Sequence, residues 1–203
     1  MHVLNHLNGE TQDTPRNVLE ESARIARGNV KSLDQLSIAD FDALFIPGGF
    51  GAAKNLSDFG VKGADMAVKD DVVSVIKEFH AAQKYMGLCC ISPIIAAKVL
   101  GKGSGGHGAK MTLGAKGSEE DWPYQGSIDA ASSFGNEMVE SDIDGAVHDE
   151  KNKIVTAPAY MKGTASPAEV YENVKKMVDA VAQQLREGSS SSSDLPFAVL
   201  VTV

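Results

Sequence analysis

Apolar positions along this chain follow two patterns: short continuous runs, and longer stretches in which they recur every three or four residues. Residues 43–46 (Ala-Leu-Phe-Ile) form a continuous run ended by Pro47-Gly48-Gly49, and residues 85–89 form another. Such runs suit strands of a parallel sheet buried on both faces. Val72, Val75, Ile76 and Phe79 lie at helical spacing and predict an amphipathic helix ending near Lys84. Residues 91–100 predict a second helix with Gly101 after it, and residues 127–134 a short one stopped by Gly135-Asn136. The clearest helix follows Ser166-Pro167-Ala168-Glu169, a capping box with proline at the first helical position. Val170, Val174, Met177, Val178, Val181 and Leu185 form its apolar stripe.

Weaker signals complete the pattern. Residues 3–7 predict a short strand. Residues 15–27 predict a helix capped by Asp13 or Thr14, with Gly28 at its C-cap. The Gly-rich stretch 101–108 predicts a loop, and residues 111–113 a strand. Residues 146–148 and 154–157 predict two strands joined by a turn at 149–152. Strands alternating with helices predict an α/β fold, doubly wound around a mostly parallel sheet. Residues 1–187 then form one α/β domain, 188–194 a Gly/Ser linker, and 195–203 an apolar tail. Within that tail, residues 197–203 read as an extra strand or as a disordered, aggregation-prone end.

The 203 residues suffice for one domain with a sizeable core. A formal net charge of -8, with scattered Lys and Arg, argues against nucleic acid as a partner. No stretch approaches the roughly 20 apolar residues that cross a bilayer, so no membrane partner is expected. The opening MHVLNHLNGE has the layout of neither a signal peptide nor a transit peptide. Cys89 and Cys90, the only cysteines, are adjacent and make a poor structural staple. Free thiols point to a reducing, intracellular compartment.

Two segments carry candidate chemistry. Gly87-Leu88-Cys89-Cys90-Ile91-Ser92-Pro93 joins an apolar strand to a helix through a tight turn. A thiol there meets free N–H groups and a helix dipole, which favour the thiolate and offer donors to an oxyanion. The plain alternative is an inert core cysteine. Phe45-Ile46-Pro47-Gly48-Gly49-Phe50-Gly51 places glycines directly after a buried strand, allowing close backbone approach or nothing more than a turn. It is neither a phosphate loop nor a dinucleotide fingerprint. Of His2, His6, His80, His107 and His148, none adjoins a cysteine or forms a metal-spaced cluster. His6, at the end of an early strand, is the best site candidate among them.

Several segments together resemble one family: Asn5-His6, Arg16-Asn17-Val18-Leu19, the run SARIARG at 22–28, FIPGGFGAAKNL at 45–56, GLCCISP at 87–93, DWPY at 121–124 and NKIVTAPAYM at 152–161. They resemble the ElbB-like proteins, which include a bacterial glyoxalase and mitochondrial class 1 glutamine amidotransferase-like domain proteins of animals. The wider superfamily holds the parkinsonism-associated deglycase and PfpI-type proteins. The resemblance spans about residues 1–185 and implies a flavodoxin-like class I glutamine amidotransferase-like domain.

It also implies roles. The family's nucleophile stands three residues before a proline, which selects Cys90 and leaves Cys89 as the last strand residue. Leu88 departs from the small residue usual there. The N–H groups of Gly49 and Ile91 would form the oxyanion hole, with Gly48, Asn55 and Cys89 lining the site. A Cys-His-Glu triad is not expected, since Thr156-Ala157-Pro158-Ala159-Tyr160 holds no histidine. The family opens with a central strand, a Gly-rich turn and a helix whose Glu sits beside the nucleophile. This chain is expected to start after that unit, with its tail filling the vacant central slot of the sheet.

Three functional readings follow. In the first, Cys90 converts a small reactive carbonyl such as methylglyoxal to lactate without cofactor or metal, with His6 in place of the Glu as base. In the second, Cys90 is a redox-responsive, non-catalytic thiol. In the third, the domain is an interaction module. The resemblance further implies a mitochondrial location and a homodimer.

Overall fold

Every residue of the two continuous apolar runs is buried, and the runs lie side by side as β1 (Ala43–Ile46) and β2 (Tyr85–Cys89). In this computed structural model, residues 3–5, 7–14, 16–188 and 196–200 are described. The other elements in chain order are α1 (Val18–Ala26), α2 (Phe59–Lys62), α3 (Asp70–Ala81), α4 (Pro93–Leu100), β3 (Lys110–Met111), α5 (Gly126–Ser133), β4 (Glu137–Met138), β5 (Val147–Asp149), β6 (Ile154–Ala157), α6 (Pro167–Gly188) and β7 (Phe197–Val199). Five strands form one sheet in the order β5-β6-β2-β1-β7, and all pairings are parallel except β5 with β6. A separate parallel pair joins β3 to β4.

The period-two geometry of a strand explains why whole runs are apolar. Leu44, Ile46, Met86 and Leu88 face one cluster, shared with Val72, Val75, Ile76 and Phe79 of α3 and Ile94 and Ile95 of α4. Ala43, Phe45, Tyr85 and Cys89 face a second cluster, shared with Val170, Met177 and Val181 of α6. Gly87 lets the Phe45 ring lie where a β-carbon would stand. Both faces are therefore covered, which is the doubly wound arrangement. None of the described helices is long and apolar enough to cross a membrane.

Periodic elements match their sequence signals closely. The predicted face of α3 is the buried one. At α6, Ser166 N–H donates to Glu169 Oε2 (2.8 Å) and Glu169 N–H to Ser166 Oγ (3.3 Å), closing the capping box. Aperiodic signals misled. Where the sequence predicts a strand at residues 3–7, the described residues show only an isolated bridge from Leu4 to Thr11. Asn5 and Asn8 accept from the local N–H groups of Leu7 (3.0 Å) and Glu10 (3.0 Å), and such side-chain bonds compete with a ladder.

Helix ends also shift. α1 starts at Val18 because Asn17, not Asp13 or Thr14, accepts from the N–H groups of Leu19 and Glu20. Arg27, at φ 56°, takes the left-handed C-cap expected of Gly28. α3 stops at Ala81, and Gln83 just beyond it is left-handed at φ 54°. β4 had no signal, being only two residues long.

β7 pairs in parallel with β1, Ala43 opposite Phe197, and the Phe197 ring meets that of Phe45 edge-on at 5.2 Å. Leu200 N–H donates to Phe45 O (2.8 Å) and Asp42 N–H to Pro196 O (2.8 Å). The tail therefore adds a parallel strand to the sheet beside β1, which among the described residues is its one neighbour. Residues 189–195 and 201–203, which hold most of the linker and the end of the tail, lie outside the described residues.

The capping box gives a direct check. Ser166→Ala should lower stability by about 1 kcal/mol in urea unfolding, with the slope unchanged.

Candidate active site

β2 ends at Cys89, and the next residue turns sharply: Cys90 has φ 58°. A left-handed backbone is costly for a residue with a β-carbon and persists only where neighbours impose it. Here they do. Cys90 N–H donates to Ala157 O of β6 (3.1 Å), which holds the turn to the sheet. Ser92, fully buried, places its hydroxyl within reach of Ile46 O on β1 (2.6 Å) and Cys89 O (2.9 Å). The turn over Ile91 and Ser92 delays α4 to Pro93, two residues later than its apolar run suggests.

Gly48 is the other half of this junction. At φ 89°, it packs so tightly that a β-carbon would stand 2.6 Å from Cys89 O and 2.9 Å from Cys90 Cβ. Gly49, at φ 82°, faces open space instead. The N–H groups of Gly49 and Ile91 both bond the Cys90 sulfur. The Pro47-Gly48-Gly49 turn and the cysteine turn thus meet at the carboxyl ends of adjacent parallel strands, where open α/β sheets receive ligands.

The electrostatics depart from the sequence expectation. Burial pushes the Cys90 thiol above its ordinary range, and the two N–H bonds offset this only in part. The helix terminus therefore does not leave a low-pKa thiolate, because the half-buried sulfur loses more hydration than two donors replace. Cys89 is buried more deeply. Its Sγ donates to Pro47 O (3.3 Å), and burial, with the neighbouring Cys90 second, pushes it to about 12.

The remaining candidates scatter. Asn55 is buried within the π-helical turn Ala52–Leu56 that follows the glycines. His6 lies outside the described residues. His80 bonds Asn152 Oδ1 (2.9 Å), His148 lies against the Tyr85 ring (5.6 Å between centroids), and His107 lines a cavity with Lys102, Lys110 and Lys151. Beyond β6, Ala159 is left-handed at φ 46° and its N–H donates to Asn173 Oδ1 (2.8 Å). No carboxylate or imidazole among the described residues contributes to the Cys90 environment, and none form a cluster fit to hold a metal ion.

Sequence reasoning missed Ser92 and the aromatic residues near the turn. Phe50 and Tyr124 are exposed, with ring centroids 6.3 Å apart. Tyr160, also exposed, follows the strand that anchors Cys90. Large aromatics beside glycines were the available signal.

The chain is 45% identical over 185 residues to a rat (Rattus norvegicus) protein named ES1 protein homolog, mitochondrial, covering 90% of this chain and 67% of that one. It is 48% identical over 167 residues to the human (Homo sapiens) mitochondrial glutamine amidotransferase-like class 1 domain-containing protein 3, covering 81% and 60%. Among solved structures, an isoprenoid biosynthesis protein with an amidotransferase-like domain from Ehrlichia chaffeensis superposes with TM-score 0.78 and 31% identity, over 91% of this chain and 78% of that one. No family model matches. The chain thus spans about 60% to 67% of the length of these mammalian relatives.

Two measurements check the junction. Gly48→Ala should destabilise the fold by about 2–4 kcal/mol, since it adds a clash to a left-handed backbone, and should change the rate at which Cys90 is alkylated. Because only the thiolate reacts and burial raises the pKa, alkylation of Cys90 at pH 7 should be slower than that of free cysteine. Its rate should keep rising past the pH at which free cysteine levels off.

Proposed function

Because the chain belongs to the ElbB-like family of ES1 and glutamine amidotransferase-like class 1 proteins, we propose that Cys90 acts as a covalent catalyst on small reactive aldehydes, converting 2-oxoaldehydes such as methylglyoxal to 2-hydroxy acids. The observation that supports this is the strained Cys90 turn, which directs one sulfur at the N–H groups of Gly49 and Ile91.

The sulfur adds to the aldehyde carbon, the carbonyl π electrons move to oxygen, and the two N–H groups stabilise the charge that develops there. The thiol proton ends on that oxygen, giving a hemithioacetal. A base then carries the C1 hydrogen to C2 as a proton while the proton of the C1 hydroxyl passes to the C2 oxygen, leaving a thioester of the 2-hydroxy acid. Water cleaves the thioester and returns the thiol. The sum is methylglyoxal plus water to lactate, with no external oxidant or reductant.

Among the described residues no carboxylate or imidazole shifts the Cys90 thiol, and His6 is the candidate base. Glutamine hydrolysis is disfavoured, because the chain after β6 reads Pro158-Ala159-Tyr160 where a triad would need its histidine. A redox-responsive thiol is the second reading, and since the raised pKa slows peroxide oxidation and carbonyl addition alike, turnover separates the two. The mammalian relatives are named as mitochondrial proteins, which supports a mitochondrial location for this chain by resemblance.

Incubation with methylglyoxal tests the reading by intact mass and by lactate formation. Wild type should form a one-to-one adduct and release lactate, and Cys90→Ser should do neither. Absence of both in wild type, or lactate formation that survives in Cys90→Ser, would overturn it.

A further inference from the structure

The exposed aromatic side chains among the described residues are Phe50, Tyr124, Tyr160 and Tyr171, and the first three can be traced to Cys90 through the chain and its contacts. Phe50 directly follows Gly49, whose N–H bonds the sulfur. The Tyr124 ring stands edge-on to the Phe50 ring, 6.3 Å away. Tyr160 lies in the turn Ala159–Met161, three residues beyond Ala157, whose carbonyl accepts from Cys90 N–H.

Further contacts tie these segments into a ring. Gly163 N–H donates to Asp121 O (2.8 Å), Thr164 Oγ1 to Asp121 Oδ1 (2.8 Å), and the Lys162 ammonium sits over the Trp122 ring (5.8 Å). The chain around residue 160 is thereby joined to that around 122, which is joined through Tyr124 to Phe50 and so back to the sulfur. The Trp122 ring is buried under Gly114 and Gly117, where added β-carbons would meet it, so the segment that presents Tyr124 is firmly seated.

Large aromatic rings left in water forgo the burial that usually places them in cores. Their hydroxyls make no hydrogen bond among the described residues. We propose that Phe50, Tyr124 and Tyr160 form a specificity rim that binds a flat, apolar substituent on the carbonyl compound reacting at Cys90. The preferred substrate class is then aryl-substituted 2-oxoaldehydes rather than methylglyoxal. Ring faces and edges stack on a planar group, while the tyrosine hydroxyls remain free for a polar atom on it. This rests on Cys90 being the covalent site, but not on turnover.

The test compares alkylation of Cys90 by N-phenylmaleimide and N-ethylmaleimide, each rate divided by that of free cysteine and read by intact mass. Cys90→Ser identifies the site of addition, since Cys89 is buried. The normalised phenyl-to-ethyl ratio should be about three to ten in wild type, the size expected of one aromatic contact. It should fall toward one in Phe50→Ala and Tyr124→Ala, whose side chains are exposed enough to be removed without unfolding. A wild-type ratio of one, or a high ratio unchanged in both variants, overturns the rim. A high ratio without lactate formation overturns the turnover proposed above and leaves the rim standing. Lactate formation with a ratio of one does the reverse.

Discussion

The structure around Cys90 depends on one backbone constraint: a residue with a β-carbon held left-handed at the end of a buried parallel strand. Locally, the Ser92 N–H donates to Cys89 O (3.2 Å) and closes the turn. The conformation is also held by contacts from the two neighbouring strands and the turn that follows one of them. Ala157 O on β6 takes the Cys90 N–H, Ile46 O on β1 lies within reach of the Ser92 hydroxyl, and Gly48 just past β1 leaves the space the turn occupies. Register between β1, β2 and β6 is therefore also the geometry of the site. A slip of one residue would exchange the two faces of β2 and carry Cys89 to the opposite cluster.

The same packing sets the chemistry. A sulfur at this junction gains two N–H partners and loses water, and the loss is the larger effect. The thiol is thus not a freely ionised nucleophile. It ionises less readily than an exposed cysteine, because the two N–H groups offset only part of the lost hydration. Cys89, one residue earlier, shows the limiting case. It is fully committed to the core, bonded to Pro47 O and pushed to about 12. Adjacent cysteines differ because successive residues of a strand point to opposite faces, and only the second stands past the end of the ladder.

β7 supplies a second lesson about the sheet. It adds to β1 through a register from Ala43 to Phe45 and buries Ala198, yet Val199 stays exposed on an edge with one neighbour. The apolar character of the tail is explained by the face it shares with Phe45 and by Leu200 against the larger cluster. The described residues of this sheet thus present an open edge beyond β7. The matched regions cover 67% and 60% of the mammalian relatives.

What the sequence determined by itself was whatever depends on local periodicity. Continuous runs marked β1 and β2, a three-and-four spacing marked the buried face of α3, and a capping box with Pro167 marked the start of α6, because each signal is complete within a dozen residues. The candidate nucleophile and the glycines beneath it were legible as motifs for the same reason. Tertiary structure alone decided what depends on residues far apart in the chain: that Gly49 N–H reaches the Cys90 sulfur, that burial outweighs it, that α1 is capped by Asn17, that β7 pairs with β1, and that the Phe50 and Tyr124 rings meet edge-on. Periodicity reports which face of an element is apolar, but not which distant backbone groups will meet it, and here those meetings set both the strain and the charge of the site.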